Sequence, residues 1–266
     1  MKELYAKLKT EPFIIAGPCV IESREMIMNL CGKLKEITEK EGYTFIFKAS
    51  FDKANRTSIT SYRGPGIEEG LDILAEAKAR FNVPVTTDIH EASQAEAAGK
   101  VVDIVQIPAF LCRQTDLLTA AAKTGKIINI KKAQFLSGAD MEHPVQKVAD
   151  SGNSRIMLTE RGSMFGYNNL VVDYRNLIDM AEFGYPVIMD ATHSVQRPGG
   201  LAGKSGGDGR LAPQMAYAAA AVGVRGFFFE VHENPAEAKS DGPNMIPLNE
   251  FSGVLQKLRR VMNAVR

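Results

Sequence analysis

The sequence predicts a single closed (β/α)8 barrel, and three observations carry that expectation. First, eight short β-rich apolar runs recur along the 266 residues, separated by segments with helical spacing. Second, the runs are apolar almost throughout, as in parallel strands whose outer face is covered by helices. Eight such units in about 250 residues match a closed barrel. Third, the turn after the first run reads Ala16-Gly17-Pro18-Cys19. An open doubly wound sheet would normally carry a G-x-G-x-x-G phosphate turn there. No linker, repeat or low-complexity tract divides the chain, so residues 1–266 are expected to form one domain.

The strands are expected, in order, at Phe13–Val20, Thr44–Lys48, Val83–Ile89, Val102–Ile107, Ile127–Lys131, Ile156–Thr159, Val187–Asp190 and Gly226–Val231. Each is four to eight residues long and rich in Val, Ile and Phe, the length and composition of a buried strand. Helical periodicity with few breakers appears at Arg24–Glu41, Ile67–Arg80, Gln114–Lys123, Arg175–Phe183 and Ala212–Val222. A last helix, Leu248–Val265, closes the chain.

Charge and composition exclude other classes. Thirty-two basic against 31 acidic side chains leave a net charge of +1, which gives no electrostatic footprint for nucleic acid. A hydrophobic content of 45% excludes a disordered chain, and no stretch reaches the ~20 apolar residues that span a bilayer. The first twelve residues lack the apolar core of a signal peptide, so a cytoplasmic location is expected. Three cysteines, Cys19, Cys31 and Cys112, cannot all pair, and they suit a reducing compartment.

Active sites of this fold lie at the C-terminal mouth of the barrel. The strand ends offer Cys19, Lys48, Asp88, Gln106, Lys131, Arg161, His193 and Glu230. Side chains alternate faces along a strand, so parity identifies those that point inward. Lys131 shares parity with Asn129, Lys48 with Ile46, and Glu230 with Phe228. The apolar residues between them face the helices. A single strand-end charge is commonly a salt-bridged rim residue. Inward cations joined by Lys53 and Arg56 on the second loop instead suit a multiply anionic, phosphorylated substrate.

Closure of a barrel makes strands seven, eight and one neighbours, which draws Cys19, His193 and Glu230 into one arc, with Asp241 in the loop after the eighth strand. A thiolate, an imidazole and two carboxylates suit a divalent zinc, iron or manganese ion. Singly, each has an ordinary structural reading; buried cysteine, for example, behaves as a small hydrophobe. Gly199–Ser205 resembles a phosphate-binding P-loop, but Pro198 stands where its first glycine belongs, and Gly206, Gly207 and Gly209 follow where it needs a helix. The stretch Arg197–Arg210 reads instead as a lid over the mouth.

On these residues the chain resembles the 3-deoxy-D-manno-octulosonate 8-phosphate synthases, in their metal-dependent class. The resemblance is carried by Ala16–Cys19, Phe47–Ser58 (FKASFDKANRTS), Ile107–Asp116, Asn129–Leu136, Leu158–Asn169, Asp190–Gly200 (DATHSVQRPGG), Glu230–Pro235 and Ser240–Asn244. It implies a homotetramer of (β/α)8 barrels that condenses phosphoenolpyruvate with D-arabinose 5-phosphate and water, in the synthesis of the inner-core sugar of lipopolysaccharide. It also assigns roles. Lys48, Lys53, Lys131 and Arg161, with Gln106 nearby, would hold phosphoenolpyruvate. Asn55, Arg56 and Thr57 would meet the sugar phosphate, and Arg113 would reach it across a subunit interface. Cys19, His193, Glu230 and Asp241 match the metal ligands. Cys19 marks the class, because the metal-independent enzymes have asparagine there. Two positions depart from the common pattern: Thr57 for serine and Ala133 for glycine.

Asp88 and His193 are the candidate proton-transfer groups, with Lys131 and Lys53 as the cations nearest the chemistry. The nearest rival is a 3-deoxy-D-arabino-heptulosonate 7-phosphate synthase acting on erythrose 4-phosphate. That relative typically carries Lys-Pro-Arg where this chain reads Lys53-Ala54-Asn55-Arg56. A metal-dependent barrel hydrolase would usually show His-x-His on its first strand, and this chain has none there.

Overall fold

The computed structural model describes residues 1–166, 168–201 and 204–265. Eight parallel strands form the barrel: β1 (Phe13–Gly17), β2 (Thr44–Lys48), β3 (Val85–Asp88), β4 (Ile104–Ile107), β5 (Ile127–Lys131), β6 (Ile156–Glu160), β7 (Val187–Asp190) and β8 (Gly226–His232). Each pairs with the next, and β8 pairs with β1 from Phe13–Gly226 to Gly17–Glu230, which closes the ring. The expected (β/α)8 barrel is the observed fold.

Strand limits differ from the sequence expectation where proline intervenes. β1 stops at Gly17 because Pro18 has no N–H to continue the ladder, and Val20 keeps only an isolated bridge to Ser50. β3 likewise starts after Pro84. Gly17 also sits against the carbonyl of Lys48, 1.9 Å from where a Cβ would stand, so the first two strand ends approach closely.

The helices are α1 (Lys2–Thr10), α2 (Arg24–Lys40), α3 (Ile67–Phe81), α4 (Ala95–Val101), α5 (Thr115–Lys123), α6 (Glu142–Asp150), α7 (Arg175–Ala181), α8 (Ala212–Ala221) and α9 (Leu248–Ala264). Ser23 caps α2 by accepting from the Met26 N–H at 3.1 Å. α1, α4 and α6 were not singled out by periodicity. α4 and α6 complete the eightfold alternation, whereas α1 precedes the barrel. Among the described residues, no helix is long and apolar enough to cross a membrane.

The barrel holds two cores. Outward residues such as Phe45, Phe47, Ile128, Ile130, Phe227 and Phe229 pack against the helices. Inward residues form a second cluster of Phe13, Ile15, Ile46, Ile104, Ile127, Met157, Ile188 and Phe228, capped from below by Leu8, Leu4 and Tyr5 of α1. The Tyr5 hydroxyl donates to the carbonyl of Ile156 at 2.9 Å and fixes α1 across the floor. Above this apolar plug lies a polar layer: Thr159 Oγ1 donates to Asn129 Oδ1 at 2.7 Å, and Asn129 Nδ2 to Gln106 Oε1 at 3.4 Å. The inward positions above that layer are charged.

Candidate active site

That charged layer opens into a cavity of about 750 Å³ at the C-terminal mouth, a size suited to two small substrates. Lys48, Lys53, Asn55, Arg56, Thr57, Asp88, Gln106, Lys131, Arg161, His193 and Asp241 all line it. Cys19 and Glu230 lie fully buried at its edge. Arg113 is exposed and stands outside the lining, so within one chain it does not join the others.

Lys48 and Lys131 point inward as their parity implies, Arg161 joins them, and all three are at most 5% exposed. Their partners differ. Lys48 Nζ donates to the carbonyl of Cys19 at 2.9 Å and lies 3.6 Å from Glu230 Oε1. Lys131 is ion-paired with Asp190 and sits 4.1 Å from the centroid of the Phe228 ring. Burial lowers its ammonium from the usual range, against the pull of Asp190. Arg161 bonds Gln196, while its Nη1 is buried with no hydrogen-bond partner. Burial depresses Arg161 as well. A guanidinium nitrogen without an acceptor is costly unless an anion completes it.

Lys53 behaves oppositely. Burial alone would lower it, but Cys19, Glu230, Asp88 and Asp241 together hold it well above the usual lysine range. Asp88 is kept firmly ionised. Burial opposes this, but His90 (Nε2–Oδ2 3.0 Å), Lys48 and Lys53 prevail, and Ser50 Oγ donates to its other oxygen. Asp88 is thereby held as a carboxylate, a fixed negative charge facing Lys48 and Lys53.

Across the cavity, one donor atom each from Cys19, Glu230 and Asp241 lies within 4.8 Å of the others. Cys19 Sγ is 3.2 Å from Asp241 Oδ2 and 3.0 Å from Ser240 Oγ. His193, the fourth expected ligand, stands just outside this group, with Nε2 3.4 Å from Glu230 Oε1. Its Nδ1 is held 2.8 Å from Asp190 Oδ2, and its N–H donates to Asp190 Oδ1 at 2.9 Å. The ring therefore turns Nε2 toward the carboxylates, as second partners orient metal-bound histidines. Both Glu230 carboxylate oxygens are buried without a hydrogen-bond partner. Burial, Glu230 and Asp241 push the Cys19 thiol well up. A buried carboxylate that accepts no hydrogen bond, beside a thiol and a second carboxylate, is a donor set that a divalent cation fits. Asp241 adopts a left-handed backbone, φ 51°, which turns its side chain toward Cys19.

The loop after β2 places the remaining residues at the rim. Arg56 bonds Ser240 and reaches the Lys239 carbonyl at 3.4 Å, so this loop leans on the loop after β8. Asn55 and Thr57 are exposed beside it. The expected lid is a β-hairpin of Gln196–Leu201 and Lys204–Gly207, and its tip at residues 202–203 lies outside the described residues. The P-loop look-alike is part of this hairpin, with no helix following its lysine and serine.

Sequence reasoning missed Asp190, Ser50 and His90. Asp190 was legible: it ends β7 with inward parity, three residues before the histidine chosen for that strand.

Comparisons with known proteins bear on this site. A family model described as "DAHP synthetase I family" matches residues 8–265. A Fusobacterium nucleatum protein named 2-dehydro-3-deoxyphosphooctonate aldolase is 58% identical over 243 residues, 91% of this chain and 87% of its own length. Proteins of the same name from Desulfatibacillum aliphaticivorans and a Cyanothece species are 55% and 53% identical. They cover 94% and 96% of this chain, and 92% and 94% of their own lengths.

Proposed function

We propose, from the premise that the chain belongs to the DAHP synthetase I family, that it condenses phosphoenolpyruvate with D-arabinose 5-phosphate and water. The products are 3-deoxy-D-manno-octulosonate 8-phosphate and inorganic phosphate, and the step serves lipopolysaccharide inner-core synthesis. The observation that carries this reading is the shared name of relatives more than half identical over nine-tenths of the chain. That name favours the eight-carbon product over the seven-carbon product of the rival synthase.

In the reaction the methylene carbon of phosphoenolpyruvate joins the sugar aldehyde, water supplies the oxygen at C2, and phosphate leaves with the C2–O bond broken. Arg161, Lys131 and Lys53 hold the carboxylate and phosphate of phosphoenolpyruvate, with Gln106 beneath. Their positive charge is fixed in place before phosphate departs, so little reorganisation is needed as negative charge develops. Holding both substrates in register contributes several kcal/mol more. Asp88 stays a fixed negative charge beside Lys48 and Lys53, and His193 is oriented by Asp190 to accept a proton or to bind metal. Asn55, Arg56 and Thr57 receive the sugar phosphate at the rim.

Cys19, His193, Glu230 and Asp241 would hold a divalent zinc, iron or manganese ion, which when bound supplies positive charge beside the aldehyde. The buried oxygens of Glu230, which accept no hydrogen bond, support this assignment.

The same reading makes the protein a cytoplasmic homotetramer. All three cysteines are free and buried, which supports a reducing compartment. Phe110, Phe135 and Met164, from successive loops of the mouth, are each more than half exposed and support a covering subunit there. Arg113 then serves the sugar phosphate of a neighbouring site. Changing Arg113→Ala is expected to raise half-saturating arabinose 5-phosphate about 10- to 100-fold, the worth of one charged hydrogen-bonded contact. The value for phosphoenolpyruvate should stay near wild type in steady-state assays, and an equal rise for both would remove Arg113 from this role.

Phosphate release with each aldose tests the function itself. Arabinose 5-phosphate is expected to be turned over, and preference for erythrose 4-phosphate would overturn the assignment.

A further inference from the structure

Two charged doublets end neighbouring strands: Lys131-Lys132 on β5 and Glu160-Arg161 on β6. Lys131 pairs in register with Thr159, and the Lys132 N–H donates to the Thr159 carbonyl at 2.8 Å. Alternation sends Lys131 and Arg161 into the mouth and Lys132 and Glu160 to the outer face of the wall. The outer two are completely buried, with Lys132 Nζ 3.5 Å from Glu160 Oε2.

Neither outer charge touches the cavity, yet both are spent on the loops that follow the strands. Lys132 Nζ donates to the carbonyls of Ala133 (3.2 Å) and Leu136 (2.9 Å) and to Ser163 Oγ (3.2 Å). Glu160 Oε1 accepts the N–H of Gly162 at 2.6 Å, where the chain turns at φ 90° immediately after Arg161. The Met164 N–H adds a bond to the Gln134 carbonyl at 3.0 Å. Residues 132–136 and 160–164 are thus laced together behind Lys131 and Arg161. Burial pulls the Lys132 ammonium down and the Glu160 carboxyl up, each offset by the other. Such a pair is a poor source of stability, since apolar groups of equal volume often serve as well. What it does supply is a fixed spacing between two backbones.

We propose that Lys132 and Glu160 are positioning residues that, from behind the barrel wall, hold Lys131 and Arg161 at the separation one bound anion requires. The inference rests on the reading above, in which that anion is phosphoenolpyruvate.

The test compares Glu160→Gln with the double variant Lys132→Met/Glu160→Gln. Glutamine keeps an acceptor for the Gly162 N–H, and the double variant removes both buried charges at nearly constant volume. Thermal unfolding and steady-state kinetics are measured on each. The double variant is expected to regain most of the melting temperature lost by the single one. Its half-saturating phosphoenolpyruvate should nonetheless remain about 10- to 100-fold raised, the scale of a small misplacement of binding groups. Half-saturating arabinose 5-phosphate should stay near wild type. Recovery of phosphoenolpyruvate affinity together with stability overturns the inference, as does a parallel rise for both substrates. Failure of both variants to fold overturns it too, because the pair then supports the wall and not the two cations. Wild-type protein that makes no eight-carbon product would instead fail the functional reading, before any variant is compared.

Discussion

Replacing Lys131 with methionine will lower kcat/KM for phosphoenolpyruvate by about 10²–10³-fold, the cost of removing one preorganised charge from a developing anion. The ammonium is buried, paired with Asp190 and held over Phe228. Stability will fall as well. Asp190 keeps His193 at 2.8 Å but loses its closest cation in a site without solvent. Lys131→Arg is not a conservative rescue, because a planar guanidinium needs more room than an ammonium seated on an aromatic face. Phosphate-release kinetics at several phosphoenolpyruvate concentrations, with a melting curve for each protein, provide the check. A methionine variant retaining more than about a tenth of wild-type kcat/KM would contradict this role.

Removing metal is expected to have an effect at least as large. Dialysis against a chelator will reduce turnover by about 100-fold or more, and divalent manganese, iron or zinc will restore it. Elemental analysis should find about one ion per chain in protein that has not been stripped, as four ligands from a single site dictate. The melting temperature should rise on refilling, because an ion that binds only the folded chain stabilises it. Cys19→Ala should lose the ion and that rise together. The buried Glu230 oxygens lead to the same expectation, since they accept no hydrogen bond and a cation would add to the charge compensation from Lys48 at 3.6 Å. Full activity in metal-free protein would remove Cys19 from the ligand set.

Much of this site was legible because a parallel barrel converts strand parity directly into direction. Lys48, Lys131 and Glu230 could be directed inward from their neighbours Ile46, Asn129 and Phe228, and the structure lines the mouth with the two lysines and buries Glu230 at its edge. Residues beyond the strand ends were harder. His193 lies in a 3-10 turn after β7, where period-two alternation no longer applies, and attention to it hid Asp190. The nearness of Cys19, Glu230 and Asp241 depends on ring closure and on a left-handed turn at Asp241, which no local spacing encodes. α6 escaped periodicity because it carries Pro144 in its first turn, where proline is tolerated but reads as a breaker. α1 was read only as a stretch without the apolar core of a signal peptide, because its apolar contribution is three side chains that acquire meaning against the barrel floor. The partnership of Lys132 with Glu160 was invisible for a related reason: a doublet of charges states that one points outward, but not what waits for it.

The plug formed by Leu4, Tyr5 and Leu8 has a consequence for traffic through the molecule. With the base stoppered, a solute reaches Lys131 and Arg161 over the rim at the C-terminal mouth, past the loops after β2 and β8.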